Sequence, residues 1–301
     1  MDDRFRDLLV KRLIDEREFA ERVVLEGQYL RAYKLLSRSV EAGLTPIITG
    51  PPGVGKSLLV RKFALSTYRN FYEVFFDELM RPSNLIGSLD PSIVLHKGYN
   101  LEAFEPGPLL KAMVEGGIFV AQELNRATEF CQNSLLEPLE ERSYFIPRIG
   151  RVKADERFAF VAVANPAEMA GVHDFSEALR DRIRVWIPLR YPEKEIELEI
   201  IRANCPEYSL EEGILEKVYS IVETSRRDPR LEQPASVRTG ISIARLIGRY
   251  ILEDEVSDGV IEECALSVLS GSIRTFEGDL REISKSIIER ALSQKVKANG
   301  G

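Results

Sequence analysis

The chain has 301 residues, 44% hydrophobic and 30% charged, with a formal net charge of −7. That length allows one large domain or two of ordinary size, and the composition is that of a globular protein. The acidic balance disfavours broad non-specific binding to nucleic acid, and no apolar run reaches the roughly 18–20 residues that a bilayer span needs, so no membrane contact is expected.

The N-terminal "MDDRFRDLLVKRLIDEREFAERVV" does not resemble a signal peptide, and a cytoplasmic location is expected. Residues 2–43 read as helical, with Leu30, Tyr33, Leu36 and Val40 near one face and Gly43 as the stop. "TPIITG" then reads as a strand, "KSLLVRKFALSTY" as a helix and "YEVFF" as a second strand. Residues 81–108 are rich in Pro, Gly, Ser and Asn and read as a long loop or insert. A short helix at 109–114, a strand at 118–121, a helix over "TEFCQNSLLEPLEE", a hairpin around 143–158 and a strand at 158–163 follow. The helix "DFSEALRDRI" and the strand "VWIPL" complete this part. Strands alternating with helices predict a parallel sheet covered on both faces, an α/β fold.

Beyond Tyr191-Pro192 only helical patterns appear, which places a boundary near residue 190 between an α/β unit (1–190) and an all-helical unit (191–301) ending in a short "KANGG" tail. Cys131, Cys205 and Cys264 are too scattered for a disulfide framework or a zinc site and read as buried thiols. His96 and His173 are isolated, which argues against a histidine metal site or triad. Chemistry therefore falls to carboxylates, Lys, Arg and backbone amides.

"GPPGVGKS", followed by Leu58, fits G-x-x-x-x-G-K-[ST] between a strand and a helix, the context that a phosphate-binding loop requires. The loop Gly50, Pro51, Pro52, Gly53, Val54, Gly55 and the helix start through Leu58 would form the cradle, its glycines permitting a tight turn whose backbone N–H groups point at the phosphates. Lys56 would neutralise β- and γ-phosphates, and the Ser57 hydroxyl would reach Mg²⁺. Two strands compete to supply the carboxylates opposite this loop. "EVFFDEL" ends in Asp77-Glu78, but it begins one helix after the loop, and such strands commonly lie at the sheet edge. "IFVAQEL" ends in Gln122-Glu123, better placed in chain order but with Gln where an Asp is expected.

"QELNRA" at 122–127, "ANPAE" at 164–168, "SEALRDRI" at 176–183 and Ser236-Val237-Arg238 form an ordered series with the loop. Together with "FEPGPLLKAM" at 104–113, they resemble the MoxR-type AAA+ ATPases, whose corresponding segments read D-E-I-N-R-A, Q-N-P-E, P-E-A-x-x-D-R-F and S-x-R. The similarity runs in order from about Val24 to Arg238, with Ala164 in place of the usual Gln and Ile183 in place of the usual Phe.

The resemblance implies an AAA+ module with a five-stranded parallel sheet and a helical lid. It implies ATP and Mg²⁺ as ligands, a ring oligomer such as a hexamer, chaperone-like remodelling or maturation of other proteins, and von Willebrand factor A domain proteins as partners. By the same resemblance Glu123 polarises the attacking water, Asn165 orients it, and Arg238 reaches the nucleotide from the lid. Arg182 acts in trans as an arginine finger, with Arg180 and Arg184 as the alternatives, and Val24 and Gly27 line the adenine pocket. The insert corresponds to the family's extra element after the second strand, and the hairpin, with Arg148, Arg151 and Lys153, to a pore-side loop of the kind that touches substrate in related rings.

Gln122 can accept a hydrogen bond from a magnesium-bound water but brings no charge. Loss of a charge-assisted bond costs on the order of 1–3 kcal/mol, which slows magnesium-dependent turnover by about tenfold to a hundredfold without abolishing nucleotide binding. The expectation is a slow ATPase. A non-hydrolysing ATP-dependent scaffold and a nucleic-acid motor or loader are the competing classes, the latter disfavoured by the acidic charge.

Overall fold

The computed structural model describes residues 22–165, 174–253 and 257–298. The expected helix before residue 22, His173, the Pro166-Ala167-Glu168 portion of "ANPAE" and the last residues of the tail lie outside them.

Helix α1 spans Gly27–Glu41, and residues 23–26 ahead of it are not helical. The expectation of one helix through this region is corrected here: Glu26 is extended, and Gly27 sits at φ +49°, a left-handed conformation that an α-helix cannot pass through. Strand β1 (Pro46–Thr49) leads into the glycine-rich loop and helix α2 (Lys56–Ser66), followed by β2 (Phe71–Phe75). Residues 81–108 have more order than their composition suggested. Helix α3 (Pro82–Ile86) precedes β3 (Gly87–Leu89), helix α4 (Pro91–Lys97) and β4 (Phe104–Pro106), with β3 and β4 antiparallel. Elements of three to seven residues are too short to leave a periodic signal.

Helix α5 (Pro108–Glu115) and strand β5 (Ile118–Gln122) come next. The single helix expected over 128–141 is two, α6 (Glu129–Asn133) and α7 (Leu136–Glu140), the Ser134 hydroxyl bonding back to Cys131 O at the break. The hairpin β6 (Ser143–Ile146) and β7 (Gly150–Lys153), strand β8 (Ala159–Ala164), helix α8 (Glu177–Arg182) and strand β9 (Val185–Pro188) finish this part. Then follow α9 (Lys194–Ala203), α10 (Glu212–Arg226), β10 (Leu231–Gln233), α11 (Val237–Ile251), α12 (Asp258–Ser272), β11 (Arg274–Thr275) and α13 (Leu280–Ala298). The short antiparallel pair β10–β11 adds a ribbon to a region that reads as purely helical in sequence. None of the described helices is long and apolar enough to cross a membrane.

The main sheet is parallel, in the order β2-β5-β8-β1-β9. Alternation assigns its two faces. Ile118 and Val120 of β5, with Val161 and Val163 of β8, pack against α1 and α2 through Leu36, Leu59 and Phe63. Phe119 and Ala121, with Phe160 and Ala162, pack on the other side against Leu109, Met113, Leu135 and Leu179. Phe119 and Phe160 are register partners, with stacked rings 5.5 Å apart. Burial of both faces explains why these strands are continuous apolar runs. A separate core, including Ile201, Val218, Ile243, Leu269 and Ile287, joins α9–α13.

Candidate active site

In a parallel sheet all strands end at one edge, and ligands collect there. Strands β1, β5 and β8 deliver the glycine-rich loop, Gln122-Glu123 and Asn165 to that edge. A cavity of about 520 Å³ opens above it, lined by Pro52 through Leu58, Gln122, Glu123, Asn165 and Arg238.

Lys56 opens α2 and is only 7% exposed. Its Nζ donates to Gly50 O at 2.7 Å, to Pro51 O at 2.9 Å and to Asn165 Oδ1 at 2.9 Å. Gly50 and Pro51 therefore act through the carbonyls that hold this ammonium. Burial pulls the Lys56 ammonium down to about 8 from an ordinary 10.5, with nearby Glu123 opposing the shift and Arg238 adding to it. With Asn165 Oδ1 committed to Lys56, its Nδ2 is the end able to donate. Asn125 clamps the same segment through Nδ2 to Asn165 O at 2.9 Å, while its own buried Oδ1 has no hydrogen-bond partner.

Ser57 donates to Gln122 Oε1 at 2.8 Å, and Gln122 Nε2 donates to Glu73 Oε1 at 2.8 Å. Glu73 comes from β2, the edge strand. Asp77, at the far end of that strand's run, turns back to accept from Leu79 N at 2.8 Å and does not line the cavity.

Glu123 sits at φ 55°, ψ 37°, an uncommon conformation for a residue with a side chain, and ends β5 abruptly. The Arg126 guanidinium lies in ion-pair contact with its carboxylate. Ser236 caps α11, accepting from Thr239 N at 3.4 Å, and so places Arg238 in that helix's first turn.

Tyr29, Arg61, Asn204 and Arg245 also line the cavity, and sequence reading had not singled them out. Arg245 could have been found from its i+7 spacing to Arg238 on one helix face. Tyr29 donates to Val54 O at 2.8 Å, bracing the loop from α1. Of the two residues expected around an adenine, Val24 lines the cavity and Gly27 does not.

Arg182 lies outside the cavity, donating to Ala178 O at 2.9 Å and pairing with Glu140 at 2.5 Å. Arg180 packs on the Trp186 ring and Arg184 pairs with Asp181. On the hairpin, Arg148 stacks 3.9 Å over the ring of Tyr99 from the 81–108 segment, and Arg151 bonds Glu137, Glu141 and Ser143.

The site suits a magnesium–nucleotide ligand on its own terms. It has a buried ammonium beside a glycine-built loop, a hydroxyl and an amide oxygen side by side, and a second cation from α11.

The chain shares sequence and fold with known ATPases. The family described as "AAA domain (dynein-related subfamily)" matches residues 46–183. The gas vesicle ATPase GvpN of Ancylobacter aquaticus is 27% identical over 261 residues, covering 81% of this chain and 71% of its own. The chaperone MoxR1 of Mycobacterium tuberculosis is 33% identical over 156 residues, 52% of this chain but only 38% of MoxR1. A solved RuvB variant from Thermotoga maritima shares the fold at a TM-score of 0.54 and 17% identity, covering 79% of this chain and 69% of that one. Over residues 46–183 the chain is therefore similar to AAA domains, and across most of its length it is similar to the AAA+ ATPases that include GvpN and MoxR1.

Proposed function

We propose that this chain binds ATP with Mg²⁺ in the cavity around Lys56 and hydrolyses it within a ring oligomer, such as a hexamer, that remodels or matures partner proteins. The observation that carries this reading is convergence: Lys56 from the loop, Glu123 after β5, Asn165 after β8 and Arg238 from α11 line one cavity. Phosphoryl transfer needs a positioned water and spread positive charge more than covalent chemistry. Lys56 and Arg238 supply the cations, Glu123 the carboxylate that polarises water, and Asn165 the donor that orients it. Mg²⁺, when bound, neutralises phosphate charge, and Ser57 and Gln122 are the groups that would hold it, Gln122 through water.

In this reading residues 1–190 are the nucleotide-binding unit, with the insert at 81–108 and the hairpin at 143–158, and residues 191–301 are the lid. Arg182 serves the neighbouring subunit. The name of MoxR1 favours a chaperone-like role, and by family resemblance a von Willebrand factor A domain protein is the proposed partner.

Steady-state ATP turnover of the native chain and Glu123→Gln, with nucleotide binding measured alongside, tests the reading. Slow turnover is expected for the native chain, and bound but unhydrolysed ATP for Glu123→Gln. A native chain that binds ATP yet is as inert as Glu123→Gln would replace the enzyme with a nucleotide-dependent scaffold. Glu123→Gln loaded with ATP is also the bait that should retain the partner.

A further inference from the structure

We propose that Glu73 is the positioning residue that stands in for the missing strand-end aspartate. It fixes the Gln122 amide with its carbonyl oxygen toward Ser57, and from the adjacent strand it supplies the negative charge that Gln122 lacks. The inference rests on the nucleotide-site reading above.

The sheet register puts the two residues together. Strands β2 and β5 are parallel, with Glu73 opposite Val120 and Phe75 opposite Gln122. Side chains alternate, so Glu73 shares a face with Val120 and Gln122. That face carries α2, where Ser57 and Arg61 lie one helical turn apart. The four side chains form one run: Ser57 to Gln122 at 2.8 Å, Gln122 to Glu73 at 2.8 Å, and Glu73 to Arg61 at 2.5 Å.

Hydrogen-bond polarity does the rest. An ionised carboxylate only accepts, so Glu73 dictates that Gln122 presents Nε2 to it. The carbonyl oxygen must then point the other way, at the Ser57 hydroxyl. A Gln without such a partner could turn its amide over and offer N–H groups where an oxygen is needed. Glu73 cannot swing aside, because Arg61 holds its other oxygen and its side chain is only 12% exposed. Burying a carboxylate on an edge strand is costly unless every oxygen is used, and here one oxygen serves Arg61 and the other serves Gln122.

The test compares the affinity of a fluorescent ATP analogue in magnesium with its affinity in EDTA. The chains are native, Glu73→Gln, Gln122→Asp and the exchange Glu73→Gln/Gln122→Asp. Glu73→Gln is expected to lose about tenfold of the magnesium enhancement, as for a bond to a charged group, while the EDTA affinity stays unchanged. Gln122→Asp sets two carboxylates side by side, so it is expected to lower the enhancement as well. The exchange returns one carboxylate and one amide to the pair and is expected to recover the enhancement. A purely structural role would lower both affinities together, and the exchange would not rescue it.

Native magnesium enhancement in Glu73→Gln overturns the proposal, and so does an exchange variant as weak as Glu73→Gln. A native chain that binds no analogue in either condition overturns the nucleotide-site reading itself, which separates the two failures. Should Glu73→Gln not fold, Glu73→Asp keeps the carboxylate beside Arg61 but shortens its reach to Gln122; it is expected to lose part of the magnesium enhancement at unchanged EDTA affinity, and a native enhancement in it overturns the proposal.

Discussion

Lys56 Nζ donates to Asn165 Oδ1 across 2.9 Å, tying the start of α2 to the end of β8 inside the cavity. The bond joins the residue expected to meet phosphate to the residue expected to orient water. It also leaves a buried cation whose protons are held weakly, about 8 against an ordinary 10.5. Between those two values the unfolded chain retains a proton that the folded chain has lost. Folding stability from this group therefore rises with pH through that window and is flat below about 8.

Phosphate oxygens would restore the preference for the charged ammonium, so nucleotide binding should take up protons. At pH 8 the uptake should approach about half a proton per site. Calorimetric titrations with ATP in Tris and in HEPES, whose ionisation heats differ, read this directly. Lys56→Arg, charged throughout, should bind with no uptake. Zero uptake by the native chain at pH 8 would mean that the Lys56 ammonium is already fully charged before nucleotide arrives.

Gly53 touches the helical unit that is the proposed lid. A Cβ added there would sit 2.4 Å from Ser236 Oγ and 2.6 Å from Ser236 Cβ, at the cap of the helix that carries Arg238. Gly43 has the same φ, +69°, with nothing within 4 Å of an added Cβ. The two form a matched pair. Gly43→Ala should cost only the left-handed backbone strain, about 1–2 kcal/mol, and leave ATP affinity unchanged. Gly53→Ala should add a collision that forces α11 off the loop and lower ATP affinity by at least about tenfold, roughly 1.4 kcal/mol. Equal affinities for the two variants would show that the lid does not need this approach.

The phosphate loop was legible because its determinants are contiguous: the glycines, Lys56 and Ser57 carry their meaning within eight letters. Glu123, Asn165 and Arg238 were legible only as an ordered series, since each is an ordinary residue until the sheet edge and α11 bring it to the cavity. Glu73 was not legible. Its strand read as an edge strand, set aside as a source of the site's carboxylates, and β2 is indeed the edge. What decides its role is register against β5, a non-local quantity that the letters "FYEVF" do not encode. The break between α6 and α7 and the ribbon β10–β11 were hidden for a different reason, since each spans too few residues to show a period.

A buried pair anchors the lid side of the connection after β9. Both terminal guanidinium nitrogens of Arg226 donate to Glu197, at 2.6 and 2.7 Å, and the guanidinium lies 4.0 Å from the centre of the Tyr191 ring. Glu197 is fully buried. Arg226→Ala would strand that carboxylate and should cost about 3–5 kcal/mol in chemical denaturation. Glu197→Leu/Arg226→Met removes both charges and should recover most of the loss. A double variant no more stable than Arg226→Ala would mean that the guanidinium acts mainly through its other contacts, the Ala235 carbonyl, Glu223 and the Tyr191 ring.

Arg182 separates a structural role from a role between subunits. Its pair with Glu140 is partly exposed, 26% and 53% for the two side chains, so on stability alone Arg182→Ala should cost about 0–1 kcal/mol. An arginine that completes a neighbour's site should instead cost about 10³–10⁵ in turnover. Subunit mixing decides where it acts. Arg182→Ala retains Glu123 but offers its neighbour no guanidinium, whereas Glu123→Gln offers the guanidinium but lacks the carboxylate. Each should be inert alone. A mixture should regain turnover, because an Arg182→Ala subunit beside a Glu123→Gln subunit has one complete site. Turnover near native in Arg182→Ala alone would return the finger to Arg180 or Arg184. An inert mixture that still assembles would place Arg182 in its own subunit's chemistry.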